Sequence, residues 1–147
     1  MAANTSPIFT LTPHIAWGSN DPAGSGSPNG PLLTANTAMD GTGSVLSVFT
    51  AGTNGSYVQR IIARAVGTNA ASVLRVFINN GSSSSTQANN VLIGEVTLPA
   101  TTANAAGALQ PIEMPLNFAL PANYVINVTL GTTVAAGYRV SCVAGDY

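Results

Sequence analysis

Few side chains in this sequence are suited to acid–base or nucleophilic chemistry. One histidine (His14), one cysteine (Cys142) and five carboxylates make up the inventory, and there is no lysine. An active site needs a base, a nucleophile or a metal held in place by neighbouring groups. His14 follows a proline in a predicted strand, and Cys142 lies in a strand pattern where cysteine is usually a small buried apolar residue. We therefore expect a non-enzymatic protein without catalytic residues.

Metal and cofactor signatures are equally weak. No second histidine or cysteine is present to complete a zinc site. Asp21 and Asp40 lack the spacing of a calcium loop, and the glycines form no phosphate-binding or dinucleotide-binding fingerprint. The Asp-Gly-Thr-Gly stretch at residues 40–43 has the wrong order for the aspartic-protease triplet and reads as a turn. We expect no metal site and no cofactor.

The composition limits the partners that the chain can have. Only 6% of its residues are charged, against about 25% in ordinary soluble domains, and the net charge is −1. A protein without a basic stripe is poorly suited to nucleic acid, and no apolar run approaches the ~18 residues of a membrane span. No secretory signal is visible at the N-terminus. A surface this poor in charge favours a protein packed against neighbours, although a monomer solvated by amides and hydroxyls is the alternative.

The elements that would position any functional side chains are predicted to be strands. At 147 residues the chain is expected to form a single domain, 1–147, with a Gly/Pro/Ser-rich loop at residues 18–31. Strand signals occur at 6–17, 44–50, 57–66, 72–79, 90–98, 124–130 and 137–144, with a weak one at 32–39 and a proline-broken one at 109–120. This pattern predicts an all-β, antiparallel two-sheet sandwich of about eight strands, for which the jelly roll is a common topology and other Greek keys are alternatives.

The three consecutive strands at 57–66, 72–79 and 90–98 are predicted to pair as a meander. Alternation puts Leu74, Val76 and Ile78 on an inner face. On the outer face we expect Arg75 opposite Glu95 and Phe77 opposite Ile93, with the arginines of the first strand beside them. The predicted contact surface consists of Arg60, Ile62, Arg64, Arg75, Phe77, Ile93 and Glu95. Arginines mixed with aromatic and aliphatic residues are typical of interface centres, and an ordinary exposed sheet face is the alternative.

Several phrases resemble a known group of proteins. LTANTAMDGTGSVLSVFTAGTNGSYVQRI, SVLRVFINNG, NNVLIGEVTLPATT and LPANYVINVTLGTTVAAGYRV are similar to small virion structural proteins of tailed bacteriophages, and the likeness extends from about Leu32 onward. The resemblance implies a capsid decoration or cement protein. It further implies a homo-oligomer, a dimer or a trimer, that binds the major capsid protein on the outer surface of the virion after assembly in the host cytoplasm.

Two other functions are compatible with the same residues. The scaffold could belong to the tail or baseplate, or to a receptor-binding component that recognises carbohydrate through Trp17, Tyr57, Tyr138 or Tyr147. A small hydrolase that depends on His14 is the third possibility.

Overall fold

The computed structural model describes residues 10–16 and 31–147. Within them lie eight strands: β1 (Thr12–Ala16), β2 (Leu46–Thr50), β3 (Ser56–Ala65), β4 (Ser72–Asn79), β5 (Asn90–Leu98), β6 (Ile112–Leu120), β7 (Val125–Leu130) and β8 (Tyr138–Asp146). They form two antiparallel four-stranded sheets. Sheet A has the order β1-β8-β3-β6, and sheet B has the order β2-β7-β4-β5. The predicted all-β, antiparallel two-sheet sandwich of about eight strands is confirmed.

The strand pairs are nested along the chain. β1 pairs with β8, β2 with β7, β3 with β6, and β4 with β5. Pairs between β3 and β8 and between β4 and β7 complete the two sheets. Only β4 and β5 are consecutive strands of one sheet, so every other connection crosses between sheets.

The predicted three-strand meander is therefore wrong in its first member. β4 and β5 pair as expected, but β3 lies in sheet A, between β8 and β6. Each strand has one strongly apolar face, and packing the faces of β3 and β4 across the sandwich buries both of them.

The core lies between the inner faces of the sheets. Alternate residues of β8 point inward, so Tyr138, Val140 and Cys142 are buried while Arg139 is exposed. The inner residues of both sheets pack into one cluster, whose fully buried members include Val48, Val58, Ile61, Leu74, Val76, Leu98, Ile126, Val128 and Leu130. Leu74, Val76 and Ile78 face this core as alternation predicts, since their partners on β7 are core residues.

Proline positions agree with the edges of sheet A. Pro13 lies on β1 and Pro115 on β6, the two outermost strands of that sheet. A proline cannot donate to a strand ladder, so it is tolerated at an edge. The edge position predicted for the first strand is confirmed for Thr12–Ala16. Residues 6–9 and Trp17 of that prediction, and residues 18–30 of the loop, lie outside the described residues.

The weak strand predicted at 32–39 does not form. Leu32 and Ala35 make only isolated bridges, to Tyr138 and Leu130 respectively. The segment from Asn36 to Gly43 instead crosses the outer face of sheet B, as described below.

Candidate interaction surface

The outer face of sheet A is a mixed basic and aliphatic surface. The register places Ile15, Val143, Arg60 and Pro115 in one row across the four strands. The next row holds Ser141, Ile62 and Glu113, and the row after that holds Arg139 and Arg64. Residues on the opposite side of the same strands, such as Ile61, Ala63 and Cys142, belong to the core. Of the described residues, Thr10 packs on this face at Gly145, while Arg64, Arg139 and Ile15 are exposed.

A bulge sets the orientation of β3 on that face. Against β8 the register shifts between Val58 and Arg60, so Gln59 is an extra residue of β3 relative to β8. Such a bulge places two consecutive residues on one side of a sheet. Val58 and Ile61 are fully buried, and Gln59 and Arg60 both lie on the outer side, where an Arg60 Nη1 donates to Gln59 Oε1 over 3.3 Å.

The predicted grouping of Arg60, Ile62 and Arg64 is correct. The three residues alternate with buried Ile61 and Ala63 and therefore share the outer face of sheet A. Arg60 Nε lies 3.6 Å from Glu113 Oε2 on β6, and both side chains are substantially exposed. An exposed pair of this kind contributes little to stability, about 0–1 kcal/mol.

Part of the outer face of sheet B, around Phe77, is covered by the chain itself. The backbone N–H of Asn36 donates to the Leu130 carbonyl at 2.7 Å, which fixes one end of a covering segment formed by residues 36–43. The other end lies over β4 and β5, where a β-carbon on Gly41 would come within 2.7 Å of Asn90 Cβ and 3.0 Å of Phe77 Cδ1. With a φ of +82°, Gly41 adopts a backbone conformation that suits glycine, which permits this close approach.

Side-chain hydrogen bonds hold the covering segment in place. Asn36 Nδ2 donates to the carbonyls of Thr42 and Ser44, and Asn36 Oδ1 accepts from the Ala38 N–H. Asp40 Oδ1 accepts from both the backbone N–H and the hydroxyl of Thr42. These hydrogen bonds lower the pKa of Asp40 below its ordinary value of 3.8.

Four predicted surface residues lie in sheet B, and they do not join the arginines of β3. Arg75 is opposite Glu95 as predicted, with Arg75 Nε 2.6 Å from Glu95 Oε1. However, Arg75 is only 8% exposed and Phe77 is 0% exposed, because both lie on the covered side of the sheet. The prediction of Arg75 and Phe77 as exposed residues is wrong: Gly41 packs against Phe77, and Arg75 lies against Glu95 and Gly131.

Ile93 is displaced by a second bulge. The register of β5 against β4 shifts between Val76 and Phe77, so Leu92 rather than Ile93 stands opposite Phe77. Ile93 packs against the core, while Leu92 and Val91 are exposed. A one-residue slip of this kind exchanges the faces of a strand.

A polar network joins strand ends at one margin of the sandwich. Asp146 Oδ2 lies 3.0 Å from His14 Nε2, and Asp146 Oδ1 accepts from the Ser56 hydroxyl and from the Gly52 N–H. In a serine hydrolase the imidazole takes the serine proton and the carboxylate orients the imidazole. Here the carboxylate lies between the two other groups, so the arrangement fastens β1, β3 and β8 rather than activating Ser56.

The remaining reactive groups are core residues. Cys142 is fully buried, and burial raises the pKa of its thiol to about 12, so the thiolate is scarce at neutral pH. Tyr138 is also buried, with its hydroxyl donating to the Pro99 carbonyl at 3.2 Å, and burial raises its pKa. Tyr138 is thus a core residue and not a loop aromatic.

Searches of the described residues for other kinds of site give negative results. No group of three or more His, Cys, Asp or Glu side chains gathers in residues 10–16 and 31–147. Nor does any helix in those ranges have the length and apolarity to cross a membrane.

Two shallow cavities open on the surface. One, of about 290 Å³, lies at the β1 side of sheet A and is lined by Thr10, Tyr57, Gln59 and the β8 residues 143–145. The other, of about 370 Å³, lies between residues 31–34 and 44–46. Of the aromatic residues considered for sugar binding, Tyr57 lines the first of these cavities; Tyr147 is half-buried, and Trp17 lies outside the described residues.

Sequence reasoning missed part of the surface of sheet A. Arg139, Val143 and Ile15 complete the face of the β3 arginines, and none of them was predicted there. The alternation of residues 137–144 does place Arg139 and Val143 opposite the apolar face, but the pairing of β8 with β3 and β1 leaves no local signal in the sequence.

The chain matches no protein-family model and no curated protein. In the described residues it is an all-β sandwich in which residues 36–43 pack on the outer face of sheet B, while Arg64, Arg139 and Ile15 are exposed on the outer face of sheet A.

Proposed function

We propose that this chain is a non-enzymatic structural protein of a bacteriophage virion. In this proposal it decorates or cements the outer capsid surface through contacts with the major capsid protein, and it does so as a homo-oligomer. The contact surface is the outer face of sheet A, centred on Arg60, Ile62 and Arg64.

The strand order of the two sheets is the main observation that supports the proposal. The two four-stranded sheets have the nested strand order expected of a jelly roll. In this order β1 pairs with β8, β2 with β7, β3 with β6 and β4 with β5. We infer that topology here. Jelly rolls recur in viral capsid proteins and in lectin domains.

The open face of sheet A supports a docking role. Three aliphatic residues lie among the arginines of this face: Ile15, which is 62% exposed, and the half-buried Val143 and Ile62. The chain has very few other charged residues. Arginine and aliphatic residues in one patch are characteristic of protein interfaces. The polar network around Asp146 and the buried thiol of Cys142 have structural explanations, which leaves docking as the role best supported by the geometry.

A copy-number measurement on intact particles tests the location. Quantitative mass spectrometry of purified virions should find this chain at a number comparable with that of the shell subunit, and a density map should place it outside the shell. Absence of the chain from particles would contradict the proposed function.

A matched pair of variants tests the face. Ile15 and Val91 are exposed to nearly the same extent, 62% and 60%, but lie on sheet A and on β5 of sheet B respectively. Ile15→Gln should lower particle occupancy while Val91→Gln leaves it unchanged, with both chains folded by circular dichroism. Equal occupancy of the two variants would exclude sheet A as the contact.

A carbohydrate-recognising tail or baseplate component is the second candidate. The observation in its favour is the cavity beside Tyr57, whose hydroxyl donates to Asn117 Oδ1 at 3.3 Å and whose neighbour Gln59 supplies an amide. Aromatic rings with adjacent amides suit neutral sugars. A few copies per particle, together with glycan-array binding lost in Tyr57→Ala, would favour this function over decoration.

A further inference from the structure

One edge strand of the sandwich lacks the features that usually keep sheet edges from pairing. Edge strands of monomeric proteins are commonly short or contain proline or basic residues. β1 and β6, the edges of sheet A, contain Pro13 and Pro115, and β2 on sheet B has five residues. β5, the other edge of sheet B, has nine residues without a proline or a basic residue. Among residues 10–16 and 31–147, β4 is the one strand that pairs with it.

The charge on β5 is matched inside its own sheet. Glu95 is the one charged residue of the strand, and its Oε1 lies 2.6 Å from Nε of Arg75 on β4. The bulge at Ile93 interrupts the strand before this point, whereas Gly94–Leu98 pairs with β4 without a further shift. The free edge therefore contains a regular stretch of five residues whose single carboxylate already has a partner.

The hydrogen-bond pattern shows which backbone groups of this stretch face outward. The Val73 carbonyl accepts from the N–H of the first residue after β7, so the backbone groups of Val73 face β7. These groups alternate in direction along a strand, so those of Leu74 face β5, where its partner Val96 faces back. The N–H and C=O groups of Glu95 and Thr97 are consequently directed away from β4, toward the free edge.

We propose that β5 pairs with β5 of a second copy of this chain, antiparallel about a two-fold axis. This inference rests on the homo-oligomer of the proposed function and names the surface that forms it. With the axis at Val96, Glu95 lies opposite the partner's Thr97, so the two carboxylates do not face each other. The outward groups of Glu95 and Thr97 then form about four main-chain hydrogen bonds between the copies.

Charge and size indicate a second copy that binds weakly. Because Glu95 is paired with Arg75, a basic partner strand would gain little from it, whereas an identical strand brings no unmatched charge. Half-buried Met114 of β6 lies against Gly94, so pairing also covers apolar surface of sheet A at this edge. The paired stretch is about 17 Å long, which is small for an interface. We therefore expect a reversible dimer with a dissociation constant on the order of 100 µM.

Two substitutions at one position test the backbone pairing. Thr97→Pro removes an N–H from the free edge without removing a hydrogen bond to β4, and Thr97→Ala keeps that N–H. Sedimentation equilibrium of the full chain from about 10 µM to about 1 mM should give dissociation constants within about twofold for the unchanged chain and Thr97→Ala, and at least about tenfold higher for Thr97→Pro. Circular dichroism checks that both variants are folded. Equal dimerisation of the two variants, or an unchanged chain that stays monomeric, would overturn the inference.

Amide hydrogen exchange of the unchanged chain gives a second measurement that needs no variant. The amides of Glu95 and Thr97 should exchange rapidly at about 10 µM and become protected at about 1 mM, while Val96, bonded to β4, is protected at both concentrations. Protection of Glu95 and Thr97 in a monomer would mean that another part of the same chain pairs with β5, and the inference would be wrong. Failure of the proposed function is a different result, because it requires that the chain be missing from virions, which these solution measurements do not test.

Discussion

The two sheets of the sandwich differ in what lies on their outer faces. On sheet B, residues 36–43 pack over Phe77, which has no contact with water, and Arg75 is paired with Glu95. On sheet A, Arg64, Arg139 and Ile15 are exposed, and no described residue lies over them.

This difference separates residues that serve folding from residues that can serve contact. Arg75 and Phe77 were predicted to form an interface, but on sheet B both are buried within the protein, Phe77 beneath residues 36–43 and Arg75 beside Glu95. Similar residue types on sheet A are open to solvent. Residue type alone therefore does not assign a role, because the role depends on which connection crosses which sheet.

Truncating an aromatic residue on the covered face should have the largest effect. Phe77→Ala removes a fully buried ring and should lower the free energy of unfolding by about 3–5 kcal/mol. Ile62→Ala on the open face should lower it by about 1 kcal/mol or less. Urea unfolding followed by circular dichroism measures both values. Similar losses for the two variants would mean that the faces do not differ in burial.

Loosening the covering segment should have the next largest effect. Asn36→Ala removes two donated hydrogen bonds and one accepted hydrogen bond, and should cost about 2 kcal/mol of unfolding free energy. Amide hydrogen exchange should rise at residues 36–44 and remain unchanged on β3.

Asn104→Ala is the matched control for that change. Asn104 Oδ1 also accepts from the N–H two residues later, at Ala106, but its side chain is exposed. We expect a cost of about 0.5 kcal/mol or less for the control. If Asn36→Ala costs no more than Asn104→Ala, the segment does not hold the face closed.

Local patterns in the sequence sufficed to predict the strands but not their partners. Runs of β-branched and aromatic residues between Gly, Asn and Ser turns located seven of the eight strands, and Pro13 and Pro115 indicated edges. Arg75 was correctly placed opposite Glu95 because β4 and β5 are consecutive strands, and pairing them through the single loop between them determines which residues are opposite. Such inferences need only contacts between neighbours along the chain.

Three features of the surface were beyond that kind of reasoning. The bulges at Gln59 and Ile93 shift the register without any glycine or proline at the inserted residue. The pairing of Arg64 with Arg139 joins strands far apart in sequence. The covering segment was read as a weak strand because Asn36 acts through its side chain, which propensity does not reveal.

Removing one arginine from each sheet should give a moderate difference in stability. Arg75→Gln leaves Glu95 without its partner and loses packing against Gly131, so we expect a loss of about 1–2 kcal/mol. Arg64→Gln should change stability by less than about 0.5 kcal/mol, because Arg64 is exposed. Thermal and urea unfolding of both variants, at low and high salt, check this order. A larger loss for Arg64→Gln would show that the open face has a structural role of its own.

The smallest effect concerns the pH dependence of the covering segment. The hydroxyl and N–H of Thr42 hold the pKa of Asp40 below its ordinary value of 3.8, so the folded state binds this proton less readily than the unfolded chain does. The stabilisation is therefore present at pH values above 3.8 and is lost as the pH falls through the lowered pKa. On acidification, NMR signals of residues 38–43 should change before those of β3, and Asp40→Asn should remove that early change while leaving sheet A unaffected. If β3 responds at the same pH as residues 38–43, acid acts on the whole sandwich and the two faces are not independent.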